Sequence, residues 1–295
     1  MISIITSFYN QYGMNKLFLE FIEKYTTLPY EIIAVDNMSD DGSGDLFRAH
    51  GATVIRNEAN FNYPHCQNQG AALAQYEYLF FLNNDLLVCP DWDTRAIALM
   101  KEQGLDFASA IGTNKMMTKK RTRVHVKSWY AIRYPFLKIS NGYRSLKLMH
   151  RVFFLGQYER FCRRLRKKYA GCTAEGIAGF NVLMTRRGWD LIGEWDERIQ
   201  AADYDVFLRA KDRAVKHGDV KPFHVLWELY FHHYMRLTFK MKYPPFVGQE
   251  NIIMPSIKWT EAVIQEYMST ADRLFFQSNR SSAREPTDQY KQLEE

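Results

Sequence analysis

One apolar run with a polar interruption, YLFFLNNDLLV at residues 78–88, constrains the fold of this chain most. The five apolar residues at its start predict a β-strand buried on both faces, as in a parallel sheet. Burying Asn83, Asn84 and Asp85 within such a strand would be costly, so we expect them where the strand leaves the sheet at its carboxyl end. Open α/β sheets bind ligands at that edge, and a carboxylate there suits Mg²⁺ or Mn²⁺ and hence a diphosphate. A polar turn between two strands is the alternative interpretation.

Strand-like and helix-like segments alternate over the first 112 residues. Besides the run above, strands are predicted at 2–7, 30–35, 53–56 and 107–111, and helices at 14–25, 64–75 and 92–103, with a short helix ending at residue 50. This alternation predicts βαβ units and a mostly parallel sheet. The first βα turn, SFYNQYG, lacks GxGxxG, and no GxxxxGK[ST] occurs. A dinucleotide-dependent enzyme and a P-loop nucleotidase are therefore not expected.

Membrane and redox signals along the chain are weak. No apolar stretch approaches the roughly 18–20 residues that span a bilayer. The N-terminal segment MISIIT lacks a basic region, so no signal peptide is expected. The four cysteines form no CxxC pair, which favours free thiols in a reducing compartment over a structural zinc site. We therefore expect a cytoplasmic protein, with peripheral attachment to the inner membrane face left open.

Five segments follow one another between the first strand and residue 210. They are ITSFYN (5–10), IIAVDNMSDDGS (32–43), NFNYPHCQNQGAALA (60–74), FFLNND (80–85) and GIAGFNVLMTRRGWDLIGEWDERIQAADYDVFLRA (176–210). In this order and at these separations they resemble family-2 glycosyltransferases of the A-type glycosyltransferase fold. The resemblance leaves out a basic segment, described below, and the C-terminal tail.

The resemblance implies a fold and a reaction. The fold is α/β, with a mostly parallel, Rossmann-like sheet flanked by helices, a basic insertion and a helical C-terminal extension. The reaction is inverting sugar transfer from a nucleoside-diphosphate sugar, a UDP-sugar first of all, to a hydroxyl of a glycan or glycolipid acceptor. The alternatives are a non-catalytic carbohydrate- or polyanion-binding protein on the same scaffold, and a nucleotidyltransferase.

On the donor side, the resemblance implies roles for two acids. Asp36 takes the place of an acid that hydrogen-bonds the nucleotide base, although it could instead cap the turn after its strand. Asp85 matches the last acid of a DxD-like motif and is expected to hold Mn²⁺ or Mg²⁺, with Asn83 in place of the first acid. Donor binding is assigned to Ser7, Tyr9, Asp36, Asn83 and Asn84.

On the acceptor side, a helix predicted at 202–216 opens with Ala-Asp-Tyr-Asp, where family members often have Glu-Asp-x-Asp. Ala202 therefore replaces one acid. The resemblance makes Asp203 the catalytic base and Asp205 its reserve. The alternative role for both is capping, because acids are favoured in the first turn of a helix.

A histidine pair ends a strand predicted at 226–233, LWELYFHH. In many family members a histidine here completes the metal site, and imidazole suits Mn²⁺. Neighbouring residues of a strand point to opposite faces, so one of the two is expected to bind the metal. We expect His232 rather than His233, while a purely structural role for both remains the alternative.

The basic character of the chain is local. Residues 113–170 hold seventeen lysines and arginines against one acid, Glu159, a net charge of +16, so the remaining residues carry −10 of the total of +6. Aromatic residues are interleaved with these charges, and 146–166 partly fits a helical face. An anionic membrane or acidic glycolipid, a single-stranded nucleic acid, and no partner at all are the three hypotheses for this segment.

The domain prediction has three parts. Residues 1–239 form the catalytic domain with 113–170 as its insertion, and 240–277 form a helical extension. That extension includes a helix at 259–276, which packs on the domain or on a second chain. The polar residues 278–295 are expected to be disordered.

Overall fold

The computed structural model describes residues 1–199, with the side chains of 138 and 139 left out, 201–235, 237, 244–253 and 255–268. The tail predicted at 278–295 and the second half of the helix predicted at 259–276 lie outside these residues.

Nine strands in the described residues form one sheet. They are β1 (Ile2–Phe8), β2 (Tyr30–Asn37), β3 (Thr53–Asn57), β4 (Tyr78–Leu82), β5 (Leu86–Leu87), β6 (Phe107–Gly112), β7 (Thr173–Glu175), β8 (Asn181–Thr185) and β9 (His224–His233). Their order is β3-β2-β1-β4-β8-β6-β9-β5, and β7 pairs with β9. Strands β3, β2, β1 and β4 run parallel, whereas β8 is antiparallel to β4 and β6. The α/β fold expected from the sequence is confirmed, with antiparallel pairs in its second half.

Eleven α-helices in the described residues flank the sheet. They are α1 (Tyr12–Tyr25), α2 (Ser43–Ala49), α3 (Tyr63–Leu73), α4 (Trp92–Gln103), α5 (Lys119–Ile139), α6 (Tyr143–Phe153), α7 (Tyr158–Tyr169), α8 (Arg186–Ile192), α9 (Ala202–His217), α10 (Pro255–Lys258) and α11 (Glu261–Tyr267). The predictions for the first 112 residues hold because their apolar periodicity is strong and their turns are rich in Gly, Asn and Asp.

The carboxyl ends of β1, β2 and β4 meet at one edge of the sheet. β1 pairs in parallel with both neighbours, and Phe8 lies beside Asp36 at the end of the pair. Asn83 follows β4 directly, so the polar interruption lies at the strand exit as predicted. Parallel strands therefore deliver the predicted donor residues to a common edge.

The basic segment folds as α5, α6 and α7, and it belongs to the core. Trp129, Met149 and Tyr158 are buried in the same apolar cluster as β1 and β6. The Tyr158 hydroxyl donates to the carbonyl oxygens of Leu87 and Tyr230, at 3.1 Å each. The segment therefore packs on the domain through the inner faces of its helices, while its charges lie on their outside. Whether these charges have a partner stays a prediction.

The C-terminal extension packs on α9. Ile264, Tyr267 and Met268 join an apolar cluster with Val206 and Ala210 of that helix. The helix predicted from residue 259 begins two residues later, at Glu261, and the hydroxyl of Thr260 before it accepts from the backbone N–H of Val263. A separate short helix, α10, precedes it and ends at Lys258. In the part of the chain that the structure describes, no helix is long and apolar enough to cross a membrane.

Candidate active site

Polar side chains tie the strand exits of the donor half together. The Asn84 side chain donates to Asn15 Oδ1 at 2.7 Å, and Asn15 donates in turn to Ser43 Oγ at 2.9 Å and to the carbonyl oxygen of Asn10 at 2.8 Å. Asn84 and Asn15 are both buried. Asn84 therefore holds β4 against the loops after β1 and β2, and its amide is engaged in supporting the site.

Asp85 and His233 face each other at the other side of this strand exit. β5 pairs with the end of β9, and His233 Nε2 lies 3.2 Å from Asp85 Oδ1. The Oδ1 atom is buried and has no hydrogen-bond partner, since the imidazole is close but poorly aligned. Asn83 Oδ1 is a second buried oxygen without a partner. Two unsatisfied buried acceptors, two residues apart at one strand exit, are costly unless something binds them.

His232 points to the opposite face of β9, and the expectation that it binds the metal is corrected on this point. Its Nδ1 lies 3.2 Å from Thr113 Oγ1 and 3.1 Å from the Tyr230 hydroxyl, and its ring packs edge-on against Trp129. Complete burial lowers its pKa well below the ordinary value, so it is neutral. The alternation of a strand separates the pair, and His233 is the one beside Asp85.

A three-residue loop, 178–180, joins this pair to the acceptor half. The Phe180 ring stacks on the His233 imidazole with centroids 4.7 Å apart, and its carbonyl oxygen accepts from the backbone N–H of Asn83 at 3.2 Å. The neighbouring Gly179 lies directly against the carboxylate of Asp203, so that a Cβ atom here would overlap it. The backbone N–H of Ala178 donates to the buried Ser109 Oγ of β6 at 3.0 Å, and this hydrogen bond anchors the loop to the sheet.

Asp203 is therefore the acid that the fold brings to the site. It lies in the first turn of α9, is half-buried, and faces the loop that carries Phe180. A further sign of convergence comes from Tyr63 of α3. Burial, with smaller contributions from the negative charges of Asp203 and Asp85, raises the pKa of its phenol. The Tyr63 phenol therefore lies within electrostatic reach of both acids.

Asp205 has a different role, and its expected place as a reserve base is wrong. The side chain is fully buried, and it accepts from Arg209 Nε at 2.9 Å and from Trp259 Nε1 at 2.8 Å. Lys258 Nζ lies 2.8 Å from Asp205 Oδ1 and also bonds Asp196. A carboxylate held by two cations and an indole, out of contact with solvent, fastens the C-terminal extension to α9 and has no oxygen left for an acceptor proton.

The remaining donor residues lie where they were expected, with partners from the protein. Asp36 is buried, and its oxygens accept from Arg56 at 2.6 Å and from the backbone N–H of Ser39 at 2.8 Å. Ser7 Oγ accepts from Gln67 at 3.0 Å. Tyr9 is half-buried after the end of β1. Their contacts with a nucleotide stay predictions.

A comparison with known proteins identifies the family to which this chain belongs. A sequence model described as glycosyl transferase family 2 matches residues 3–164. The chain belongs to glycosyl transferase family 2. It is a glycosyltransferase by that membership, which confirms the family and the enzyme class expected from the sequence. The match runs into α7, so the family model includes most of the basic segment that the sequence resemblance leaves out.

One solved structure supports the fold, and a second is similar to a lesser degree. The S. aureus TarS fragment 1–349 in complex with UDP is 14% identical, with a TM-score of 0.50, covering 94% of this chain and 70% of that one. The mannosyltransferase PcManGT from Pyrobaculum calidifontis, in complex with GDP-Man and Mn²⁺, is 15% identical, with a TM-score of 0.47, covering 77% and 56%. At these identities, the likeness to TarS shows the fold alone. No curated protein sequence matches the chain.

The residues present fit the divalent cation that the family implies. Asp85 and Asn83 offer buried oxygens without partners, and His233 offers a nitrogen beside them. Within the described residues no group of three or more His, Cys, Asp or Glu side chains is arranged to hold a metal alone. Mg²⁺ and Mn²⁺ sites of transferases take one or two carboxylates and complete their coordination with substrate phosphates, which this sparse set allows.

Two functional features were missed by sequence reasoning. Gly179 and Phe180 stand within the quoted GIAGF segment, where a glycine before an aromatic residue signals a close approach. Tyr63 stands in NFNYPHCQ, directly before the proline that begins α3, and packs edge-on against Trp195 with centroids 5.6 Å apart. Nothing in the local pattern of α3 sets Tyr63 apart from a core aromatic residue.

The Asp205 network gives a prediction about stability. Lys258→Met removes one of the cations that hold a fully buried carboxylate, and it should lower the free energy of unfolding by about 1–3 kcal/mol. Urea denaturation followed by circular dichroism measures it. The matched control is Lys216→Met on the exposed side of α9, whose ion pair with Asp212 is solvated and should leave the free energy of unfolding nearly unchanged. Equal midpoints for the two variants would contradict the role of Lys258.

Proposed function

We propose that this chain transfers a sugar from a nucleoside-diphosphate sugar, with UDP as the expected nucleotide, to a hydroxyl of a glycan or glycolipid, with inversion at the anomeric carbon. The observation that carries the proposal is the 178–180 loop, which joins the Asp85–His233 pair to Asp203 through Phe180 and Gly179. A leaving-group site and a base on opposite ends of one short loop are what a single displacement requires.

The donor half would hold the diphosphate. Asp85, His233 and Asn83 would bind Mn²⁺ or Mg²⁺ together with diphosphate oxygens, and the bound cation neutralises the charge that develops on the leaving group. Asn84 keeps this strand exit in place through Asn15. Asp36 and Ser7, at the ends of the neighbouring strands, would lie beside the nucleoside.

The acceptor half would supply the base. The Asp203 carboxylate takes the proton of the acceptor hydroxyl while the acceptor oxygen bonds to the anomeric carbon and the bond from that carbon to the diphosphate breaks. Its position in the first turn of α9 stabilises the charged form and makes it a weak base. Proton transfer late in the displacement tolerates a weak base, because the acceptor oxygen is then already acidic.

A thermal-shift panel of UDP, GDP, dTDP and CMP, each with Mn²⁺ and with EDTA, tests the donor site. A ligand at 100 times its dissociation constant stabilises the protein by about 2.7 kcal/mol. We expect UDP with Mn²⁺ to give the largest shift, and Asp85→Asn and His233→Gln to remove its Mn²⁺-dependent part. Asp190→Asn, an exposed acid of α8, is the control. A full UDP shift in EDTA would contradict the proposed metal site.

Ala202 favours a second candidate, a non-catalytic carbohydrate-binding protein on a transferase scaffold. Ala202 is buried among Ala201, Val206 and Phe207, so the place of the usual glutamate lies in an apolar cluster. Slow metal-dependent hydrolysis of the donor separates the candidates, since only a transferase makes nucleoside diphosphate. Release of inorganic diphosphate would instead identify a nucleotidyltransferase.

A further inference from the structure

α6 buries one face and exposes apolar residues on the other. Leu146 and Met149 point into the core, whereas Leu148 and Val152 are 49% and 38% exposed. Leu155, just after the helix, is 80% exposed. Positions 148 and 152 are four residues apart, so Leu148 and Val152 share one side of α6. Leu155 extends this exposed apolar surface into the turn that follows the helix.

The turn after α6 holds Leu155 outward in an unfavourable conformation. Leu155 has φ of 50° and Gly156 has φ of 70°. The turn is closed by hydrogen bonds from the backbone N–H of Gly156 to the carbonyl oxygen of Arg151 at 2.7 Å and from Gln157 to Phe154 at 2.8 Å. A left-handed conformation costs a leucine about 1–2 kcal/mol, and glycine or asparagine would fit better. Folding alone gives no reason for a leucine here.

Exposed basic side chains are numerous on the two helices that flank Leu155. Among the exposed cations of α6 and α7 are Arg144, Arg151, Arg160, Arg163, Arg164 and Lys168. The one acid of the segment, Glu159, is engaged by Lys24 Nζ at 3.0 Å and the Tyr25 hydroxyl at 2.9 Å. Arg166 differs from its neighbours because it lies 3.0 Å from Asp91 and holds α7 to the loop before α4.

The aromatic residues of α6 and α7 do not share this outer surface. Phe154 and Tyr158 are buried, and Phe153 and Phe161 are half-buried and pack on the core. Binding of single-stranded nucleic acid rests on exposed aromatic rings that stack on bases. The outer surface offers aliphatic side chains and cations instead, which is the composition of a helix that lies in the interface of an anionic bilayer.

We propose that the α6–α7 tip, consisting of Leu148, Val152, Leu155 and the exposed cations of the two helices, docks on an anionic lipid bilayer. The aliphatic side chains enter the headgroup region while the arginines and lysines contact lipid phosphates. This contact goes beyond the proposed transfer reaction, because it needs neither donor nor acceptor.

Sedimentation of the full chain with lipid vesicles tests the proposal. We expect binding to vesicles of phosphatidylcholine that contain about 30% phosphatidylglycerol, and no binding to vesicles of phosphatidylcholine alone. Binding to the anionic vesicles should fall steeply as salt is added, because salt screens the charges. No binding to anionic vesicles at low salt would overturn the proposal. Binding of a single-stranded oligonucleotide without vesicle binding would overturn it as well, in favour of a nucleic acid.

Two variants locate the contact. Leu155→Gly removes the apolar side chain and relieves the positive φ, so the fold should be at least as stable while vesicle binding falls several-fold. Replacing Arg163, Arg164, Lys167 and Lys168 with Gln spares Arg166 and should weaken binding by about tenfold or more. The control for the first is Val215→Ala, an exposed aliphatic residue of α9. The control for the second replaces four exposed cations elsewhere with Gln: Arg48, Lys101, Lys216 and Lys221.

The outcomes separate this surface from general charge. Loss of binding in both tip variants and retention in both controls would support the proposal. Equal loss in the tip and control charge variants, or full binding by Leu155→Gly together with the four-charge variant, would overturn it. The UDP thermal shift is measured on the same proteins, and we expect it to be unchanged, so failure of membrane binding is distinguishable from failure of the proposed function.

Discussion

Asp203→Asn is expected to lower the rate of sugar transfer by about 10²–10⁴-fold while the UDP thermal shift stays at its original size. The amide keeps the shape of the side chain and removes the proton acceptor. With an identified acceptor, the measurement is the rate of single-turnover transfer at a saturating donor concentration. Without one, it is the rate of donor hydrolysis. Asp205→Asn should differ in kind, since it disrupts the contacts with Arg209 and Lys258 and lowers stability.

Gly179→Ala tests the same role without touching the acid. A methyl group at 179 would overlap the Asp203 carboxylate, which must then move. The glycine has no positive φ, so the backbone tolerates alanine, and the loss should be in the rate rather than in donor binding. Gly142→Ala, whose Cβ would meet only Ser140 Oγ at 3.3 Å, is the matched control. A fully active Gly179→Ala enzyme would remove Asp203 from the mechanism.

The second large effect is expected in acid. Burial lowers the pKa of His125 to about 4 and that of His150 to about 3. Both rings are therefore neutral in the folded protein, while the unfolded chain takes up protons below a pKa near 6.5. Their contribution is fully present above pH 6.5 and is lost as the pH falls towards 4. The loss approaches about 1.4 kcal/mol per histidine and pH unit, or about 4 kcal/mol for the pair at pH 5.

Urea denaturation at pH 7.5, 6.0 and 5.0 measures this loss. His150→Phe should reduce the slope by about one third, because His125 and the fully buried His232 still resist protonation in the folded protein. The His150 ring lies among Phe21, Phe154 and Tyr158, and its Nε2 has no hydrogen-bond partner. At pH 7.5 the same variant should be as stable as the original or more so, since it removes a buried unsatisfied nitrogen. His217→Gln, exposed at the end of α9, is the control. A slope that is the same with and without His150 would contradict this assignment.

Local patterns predicted the donor half well. The exit of β4 at Asn83 followed from the cost of burying three polar residues, and that cost is local to the strand. The choice between His232 and His233 was not local. Alternation shows that the two side chains diverge, but the face that becomes the site depends on which side Trp129 of α5 fills.

The same limit applies to α9 and the basic segment. Asp203 and Asp205 are two residues apart, and their roles depend on Lys258 and Trp259, which lie about fifty residues downstream. In the basic segment, composition counts charges without showing on which side of a helix they lie. The apolar inner face that covers the sheet could therefore not be located from the charge count.

The 178–180 loop also determines how variants of this enzyme must be interpreted. Phe180 rests on His233 and Gly179 on Asp203, so a displacement of either functional group is passed to the other across two adjacent residues. We expect a donor-side substitution that displaces Phe180 to disturb the proposed base as well, so that it combines non-additively with acceptor-side variants. The steady-state constants of a single variant would then assign to one substrate a loss of apparent affinity that arises at the sites of both substrates.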